Sequence, residues 1–189
     1  MPALIAGRLK LQAAIGRSPR DASLYYWLGR CYFELTDFDR AIQNWEHATS
    51  LESQRSEYHD WLGRAYGRKA DKISAARMLT AMSFARHTRL EFEIAVQRDP
   101  QNLQPQRDLI GFMIGAPGDL RGGKDRALAQ IRALAAINPN ADLLALGDFY
   151  SEKKKYDQAG AQYQKVLASA TAVDADLEAA DYYLDRPPT

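Results

Sequence analysis

The sequence predicts an all-α fold, a right-handed α-solenoid of stacked helix-turn-helix hairpins. Two observations carry that prediction: a motif that returns with fixed internal spacing, and a glycine that recurs at the same place within it. Tyr25, Leu28, Gly29 and Tyr32 are followed by Phe38, Ala41, Trp45 and Ala48. The first half returns 34 residues further on as His59, Leu62, Gly63 and Tyr66, with Trp-Leu-Gly-Arg shared by 27–30 and 61–64. A later copy reads Leu143, Leu146, Gly147 and Tyr150, then Tyr156, Ala159, Tyr163 and Val166. Self-similarity at a fixed period marks a repeat architecture, in which each unit buries its apolar face against the next.

Each copy reads as two helices, A then B. Bulky residues three, four and seven apart make the stripe of an amphipathic helix. A glycine inside helix A costs about 1 kcal/mol relative to alanine, so its recurrence at Gly29, Gly63 and Gly147 implies close approach of the neighbouring helix. The small Ala41 and Ala159 do the same on helix B. Thr36-Asp37 separates A from B in the first copy. Asp99-Pro100-Gln101-Asn102 and Asn138-Pro139-Asn140 follow later B helices, where proline cannot continue the helix.

These residues resemble the tetratricopeptide repeat (TPR) family, whose signature is a bulky residue, Leu-Gly, Tyr, then Tyr or Phe, Ala, a bulky residue, Ala and a closing Pro. In that register the chain is one solenoid over 1–189. Residues 3–19 are a lone B-type helix, with Gly7, Leu11, Ala14 and Pro19 where helix B and the closing proline of a preceding repeat belong. Either an N-terminal portion lies outside this chain, in which case a removed export signal could have preceded it, or the first helix is a cap. Repeats follow at 22–55, 56–102, 103–139 and 140–171, with a capping helix around 174–183 and a tail within 172–189. The stretch from Tyr66 to Ala95 is longer than its counterpart from Tyr32 to Ala48, which predicts a long or broken helix B over 74–98. The stretch from Met113 to Ala127 is also enlarged, giving an A–B loop over 115–123. The run 61–70, with Ala116-Pro117-Gly118 and Gly122-Gly123-Lys124, is similar to a group of bacterial TPR proteins of undefined function.

Composition narrows the function classes. With 25 Lys+Arg against 24 Asp+Glu the net charge is +1, so the balance favours neither nucleic acid nor an anionic membrane surface. No apolar run reaches the roughly 18 residues of a membrane span. The opening Met1 to Gly7 is too short and too soon followed by Arg8 and Lys10 to be a signal peptide. The single Cys31 cannot form an internal disulfide, and His47, His59 and His87 show no metal-ligand spacing with it. No catalytic residue, cofactor or metal is expected, and the compartment, cytoplasmic or periplasmic, is left open.

The family resemblance implies a concave binding face built by the A helices. Its register puts Tyr26, Arg30, Phe33 and Glu34 there from the first repeat, Asp60, Arg64 and Arg68 from the second, Arg107 from the third, and Leu144, Asp148 and Glu152 from the last. Arginines beside aromatics suit a protein or peptide ligand with acidic groups, because guanidinium forks bind carboxylates bidentately. The plainer reading is that Arg30/Glu34 and Asp60/Arg64 are helical pairs on a solvated face. Chaperone-binding TPRs hold a terminal carboxylate with Lys and Asn at the positions of Tyr26 and Arg30, and a further Asn at that of Trp61. This chain lacks that clamp.

Three weaker patterns remain. Gly118 to Asp125 follows G-x-x-x-x-G-K but puts Asp125 where a phosphate-binding loop needs Ser or Thr for Mg²⁺, and a helix precedes it instead of a strand. Cys31 adjoins the packed stripe of helix A and reads as a structural thiol. Trp27, Trp45 and Trp61 read as repeat core, and Lys153-Lys154-Lys155 as a solvated turn. The expected function is a non-catalytic protein- or peptide-binding scaffold presenting an arginine-containing groove. The alternative is an assembly module, self-associating weakly through its ends or convex face.

Overall fold

The structure, a computed structural model, describes residues 2–116, 120, 122–138 and 140–169. Among the described residues there are helices and no strand, an all-α helical-repeat solenoid. The chain divides into two compact units, Met1–Asp108 and Leu109–Thr189.

The first unit contains α1 (Pro2–Arg17), α2 (Ala22–Glu34), α3 (Phe38–Leu51), α4 (Ser56–Asp71), α5 (Met78–Arg98) and the start of α6 (Leu103–Gly115). Consecutive helices from α1 to α5 pack on one another. Short acidic caps start two of them: Asp21 accepts from the Ser23 amide at 3.0 Å and Asp37 from the Arg40 amide at 3.2 Å, satisfying donors that the first helical turn leaves orphaned. The α2–α3 turn closes on the Asp37 amide, which donates to the Tyr32 carbonyl at 2.9 Å, with Thr36 left-handed at φ 57. This is the Schellman arrangement, in which the left-handed residue lets the chain reverse while serving the last helical carbonyls.

The recurring glycine has the role its spacing implied. A Cβ on Gly29 would lie 2.7 Å from the Trp45 ring, one on Gly63 2.7 Å from Phe92, and one on Gly147 2.6 Å from Tyr163. In each hairpin an aromatic ring of the second helix sits flush against the backbone of the first. Trp45, fully buried, also donates its indole N–H to the Tyr26 carbonyl at 3.1 Å. Around this contact Leu28, Tyr32, Ala41, Ile42, Leu62 and Tyr66 form the core.

The enlarged stretch of the second repeat resolves into a short 3-10 turn, Ala75–Arg77, and an unbroken 21-residue α5. Thr88, Phe92 and Ala95 are its buried positions, whereas Met78 and Leu79 at its start are exposed. Buried His59 of α4 ties the pair together, with Nδ1 2.7 Å from a Glu91 carboxylate oxygen and Nε2 3.1 Å from the Ser53 carbonyl. One core assignment is corrected. Trp27 is 53% exposed: lying between the buried Tyr26 and Leu28, it is rotated off the stripe, and bulk alone does not bring a helical residue inside.

The second unit holds the remainder of α6, then α7 (Lys124–Leu134), α8 (Ala141–Glu152) and α9 (Tyr156–Ala168). Leu144, Ala159, Tyr163 and Val166 form the α8–α9 core. The α8–α9 turn repeats the first hairpin's geometry: Lys154 is left-handed at φ 57 and the Lys155 amide donates to the Tyr150 carbonyl at 2.9 Å. In the glycine-rich loop, a Cβ on Gly122 would overlap the Ala116 carbonyl, and the Gly123 amide donates to the Met113 carbonyl at 2.8 Å. Those two glycines serve the chain's own return path. Pro117, Gly118, Asp119 and Arg121, and the helix expected at 174–183, lie outside the described residues.

Candidate functional site

The first unit carries a cavity of about 350 Å³, open on one side, whose walls come from α2, α4 and the start of α6 with the residue before it. On α4, Glu57, Asp60, Trp61 and Arg64 are spaced three, four and seven apart, so one helical face supplies all four. Arg30 of α2 closes one side, and Asn102, Gln104 and Pro105 close another.

Trp61 is the plate around which the site is organised. The Arg30 guanidinium lies 3.7 Å from its ring centroid and that of Arg64 4.5 Å. Such contacts contribute about 0.5–2 kcal/mol each, most where water is excluded. The indole is itself fixed from beneath by Phe33 at 5.5 Å and Trp45 at 5.7 Å.

The charges are largely used within the site. Arg64 donates through Nε to Asp108 at 2.8 Å, and its Nη2 forms an ion pair with Asp60 at 3.1 Å. Arg30 donates through Nη1 to the Tyr26 hydroxyl at 3.3 Å, and that hydroxyl donates to the Glu57 carboxylate. Burial, with Glu57 beside it, pushes the Tyr26 phenol up to about 12. Asp60 is only 3% exposed, and desolvation, reinforced by the neighbouring Asp108 charge, raises its carboxyl to about 8 despite Arg64. Two buried polar atoms here have no hydrogen-bond partner: Asp60 Oδ1 and Arg30 Nε.

The structure therefore gathers Tyr26, Arg30, Phe33, Asp60 and Arg64 around one indole. Tyr26 is buried, stacked on Tyr58 at 5.0 Å, and Phe33 is half-buried beneath Trp61. Arg68 stands exposed one turn beyond Arg64, and Arg107 is half-buried on α6. Asp148 belongs to the second unit, where it accepts from the Tyr163 hydroxyl at 2.7 Å. Sequence reasoning read Trp61 as repeat core, where it packs, without giving it a place in the site, and passed over Glu57, Gln104 and Asp108. The heptad-like spacing of Glu57, Trp61 and Arg64, and the four-residue step from Gln104 to Asp108, were the available signals.

Comparison with known proteins agrees with this architecture. The family described as Tetratricopeptide repeat matches residues 22–55 and again 143–171, which are the α2–α3 and α8–α9 hairpins. The chain carries tetratricopeptide repeats. Its fold is similar to that of TTC0263, a thermophilic TPR protein of Thermus thermophilus, at TM-score 0.69 and 20% identity, over 96% of this chain and 91% of that one. It is also similar to MamA at TM-score 0.56 and 15% identity, over 93% and 85% of the two chains. Human IFIT1, in a dimer with m7Gppp-AAAA, aligns at TM-score 0.72 and 17% identity, over 90% of this chain but 39% of that one. No curated protein matches by sequence.

TPR proteins are in general non-catalytic scaffolds for protein partners. In this one the thiol of Cys31, half-buried, is pushed up by desolvation, the opposite of what activates a nucleophile. Among the described residues no group of His, Cys, Asp or Glu has metal-binding geometry, and no helix is long and apolar enough to cross a membrane.

Proposed function

We propose that this TPR protein is a non-catalytic scaffold whose first unit binds a peptide segment of a partner protein across the α2–α4 face. The observation that carries the reading is Trp61 held flat between packed aromatics and two guanidinium groups at the wall of an open cavity. A rigid, amphipathic aromatic surface offers large contact area at low entropic cost, and Trp and Arg are the residues that dominate binding energy at interfaces. Exposed Trp27, at the same register position one repeat earlier, extends that surface along α2. With Arg64 held by Asp60 and Asp108, the face is of mixed charge, not the cationic one that the arginine count implied.

The test is binding of the purified chain to an array of randomised peptides, with Trp27→Ala, Arg30→Gln and Arg68→Ala compared against the parent. Trp27 and Arg68 are exposed, so their loss leaves the core intact. Retention of every bound peptide at full affinity in all three variants rejects the groove assignment. A second reading, assembly through the outer face of α1, is favoured by Ile5 and Leu9, one turn apart and 43% and 56% exposed. Light scattering that stays monomeric across a wide concentration range removes it.

A further inference from the structure

The near-zero net charge of the chain conceals one basic stretch. There are 24 Asp+Glu among 189 residues, yet 72–90, which covers the α4–α5 link and the first turns of α5, contains none and carries Lys72, Arg77, Arg86 and Arg89. Arg89 pairs with Glu93 at 2.6 Å. Among the described residues no ion pair engages Lys72, Arg77 or Arg86, and all three are exposed. The same stretch holds large apolar side chains in water: Met78 is 64% exposed, Leu79 83% and Leu90 45%. Because α5 buries Thr88, Phe92 and Ala95, its opposite face is turned outward. On that face Leu79, Arg86 and Leu90, spaced seven and four apart, fall within about 40° of one another and span about 16 Å.

We propose that the outer face of α5, from Arg77 to Leu90, makes a peripheral contact with an anionic lipid surface. Met78 and Leu79 enter the boundary between headgroups and acyl chains, while Lys72, Arg77 and Arg86 meet the headgroup phosphates. One exposed leucine is ordinary on a protein surface. Adjacent Met78 and Leu79 beside uncompensated cations form a basic amphipathic surface, which suits an anionic interface. The partner's class follows from how far the apolar groups stand out. A peptide or protein partner is anchored by side chains seated in pockets, whereas Leu79 protrudes and is buried only by a phase that yields around it. Nucleic acid would take up the cations and leave the aliphatic side chains in water. No described helix is long and apolar enough to cross a membrane, so the contact is interfacial. It uses the opposite side of the α4–α5 pair from none of the α2–α4 cavity residues, and is independent of peptide binding there.

The experiment is flotation of the full chain with vesicles of phosphatidylcholine alone, or of phosphatidylcholine with about a third phosphatidylserine. The chain is expected to float with the anionic vesicles, to ignore the neutral ones and to be released as salt is raised. Arg77→Gln and Arg86→Gln are each expected to weaken binding roughly fivefold, and Leu79→Ser roughly tenfold. All three positions are exposed, so the variants are expected to unfold with the parent in urea. Failure to bind the anionic vesicles at low salt, or equal binding to both kinds, overturns the proposal. Binding that Leu79→Ser leaves at full strength overturns the inserted face. A fluorescein-labelled peptide of Leu and Glu in helical heptads is the second probe. If it binds through these residues where the anionic vesicles do not, the face belongs to an acidic protein segment and the lipid assignment falls.

Discussion

Replacing Gly29 by alanine tests the central packing idea, because helix propensity and steric fit make opposite predictions. Propensity alone gives Gly29→Ala a gain of about 1 kcal/mol in a helix interior. The added methyl, however, would lie 2.7 Å from Trp45 Cε2 and Nε1. That ring is fully buried and tied to the Tyr26 carbonyl, so it has nowhere to withdraw. Overpacking of this kind costs about 1–3 kcal/mol. Displacing the indole also forfeits its hydrogen bond, about 1 kcal/mol net and more if the N–H stays buried. The balance is a loss of about 1–3 kcal/mol, and roughly 2–4 °C in Tm per kcal/mol for a chain of this length. Gly7→Ala is the control: nothing lies within 4 Å of its Cβ, so propensity acts alone and stability rises by about 0.5–1 kcal/mol. Urea and thermal unfolding, followed by circular dichroism and tryptophan fluorescence, measure both. Trp45→Phe in the Gly29→Ala background removes the clashing indole nitrogen and is expected to show a favourable coupling between the two sites. If Gly29→Ala is as stable as the parent, the notch argument fails for all three hairpins.

Thr36→Gly relieves a β-branched residue from φ 57 and is expected to stabilise by about 0.5–1 kcal/mol in the same unfolding assay. His59→Leu leaves the Glu91 carboxylate, whose side chain is 14% exposed, without its partner; a loss of about 1–3 kcal/mol is expected in urea melts. The Asp60 carboxyl binds its proton more tightly folded than unfolded, because burial raises it from 3.8 to about 8. Its contribution is therefore complete below about pH 4 and is lost as pH rises toward 8, so stability should fall across that window. Asp60→Asn should flatten the Asp60 component of a stability–pH profile, and an unchanged slope would refute the assignment.

The helical hairpins were legible because their signal is periodic and redundant. Gly29, Gly63 and Gly147 announced a close approach that the structure realises with three different aromatic rings, Trp45, Phe92 and Tyr163. The unbroken course of α5 was less legible, since no sequence signal distinguishes a long helix from a broken one over 74–98. Trp27 and Trp61 are the instructive pair. They occupy the same register position, 34 residues apart, yet one is half-exposed and the other is covered by Arg30. That difference arises from a residue on another helix, which a single-segment pattern does not encode. The same holds for Arg64: its count as a cation was visible, but its engagement by Asp108, 44 residues away, was not. A tally of charges therefore described a face more basic than the one the ion pairs leave.

The nearness of Trp61 to Trp45, 5.7 Å between centroids with planes inclined at 33°, has an optical consequence. Two indoles that close and skewed couple their strongest ultraviolet transitions, so part of their circular dichroism is a shared signal that changes when either ring turns. One of those rings is the wall of the cavity and the other is the buried wedge of the α2–α3 hairpin. The protein thus carries an internal gauge reading the cavity wall and the core together, and either Trp61→Phe or Trp45→Phe should remove the same coupled component.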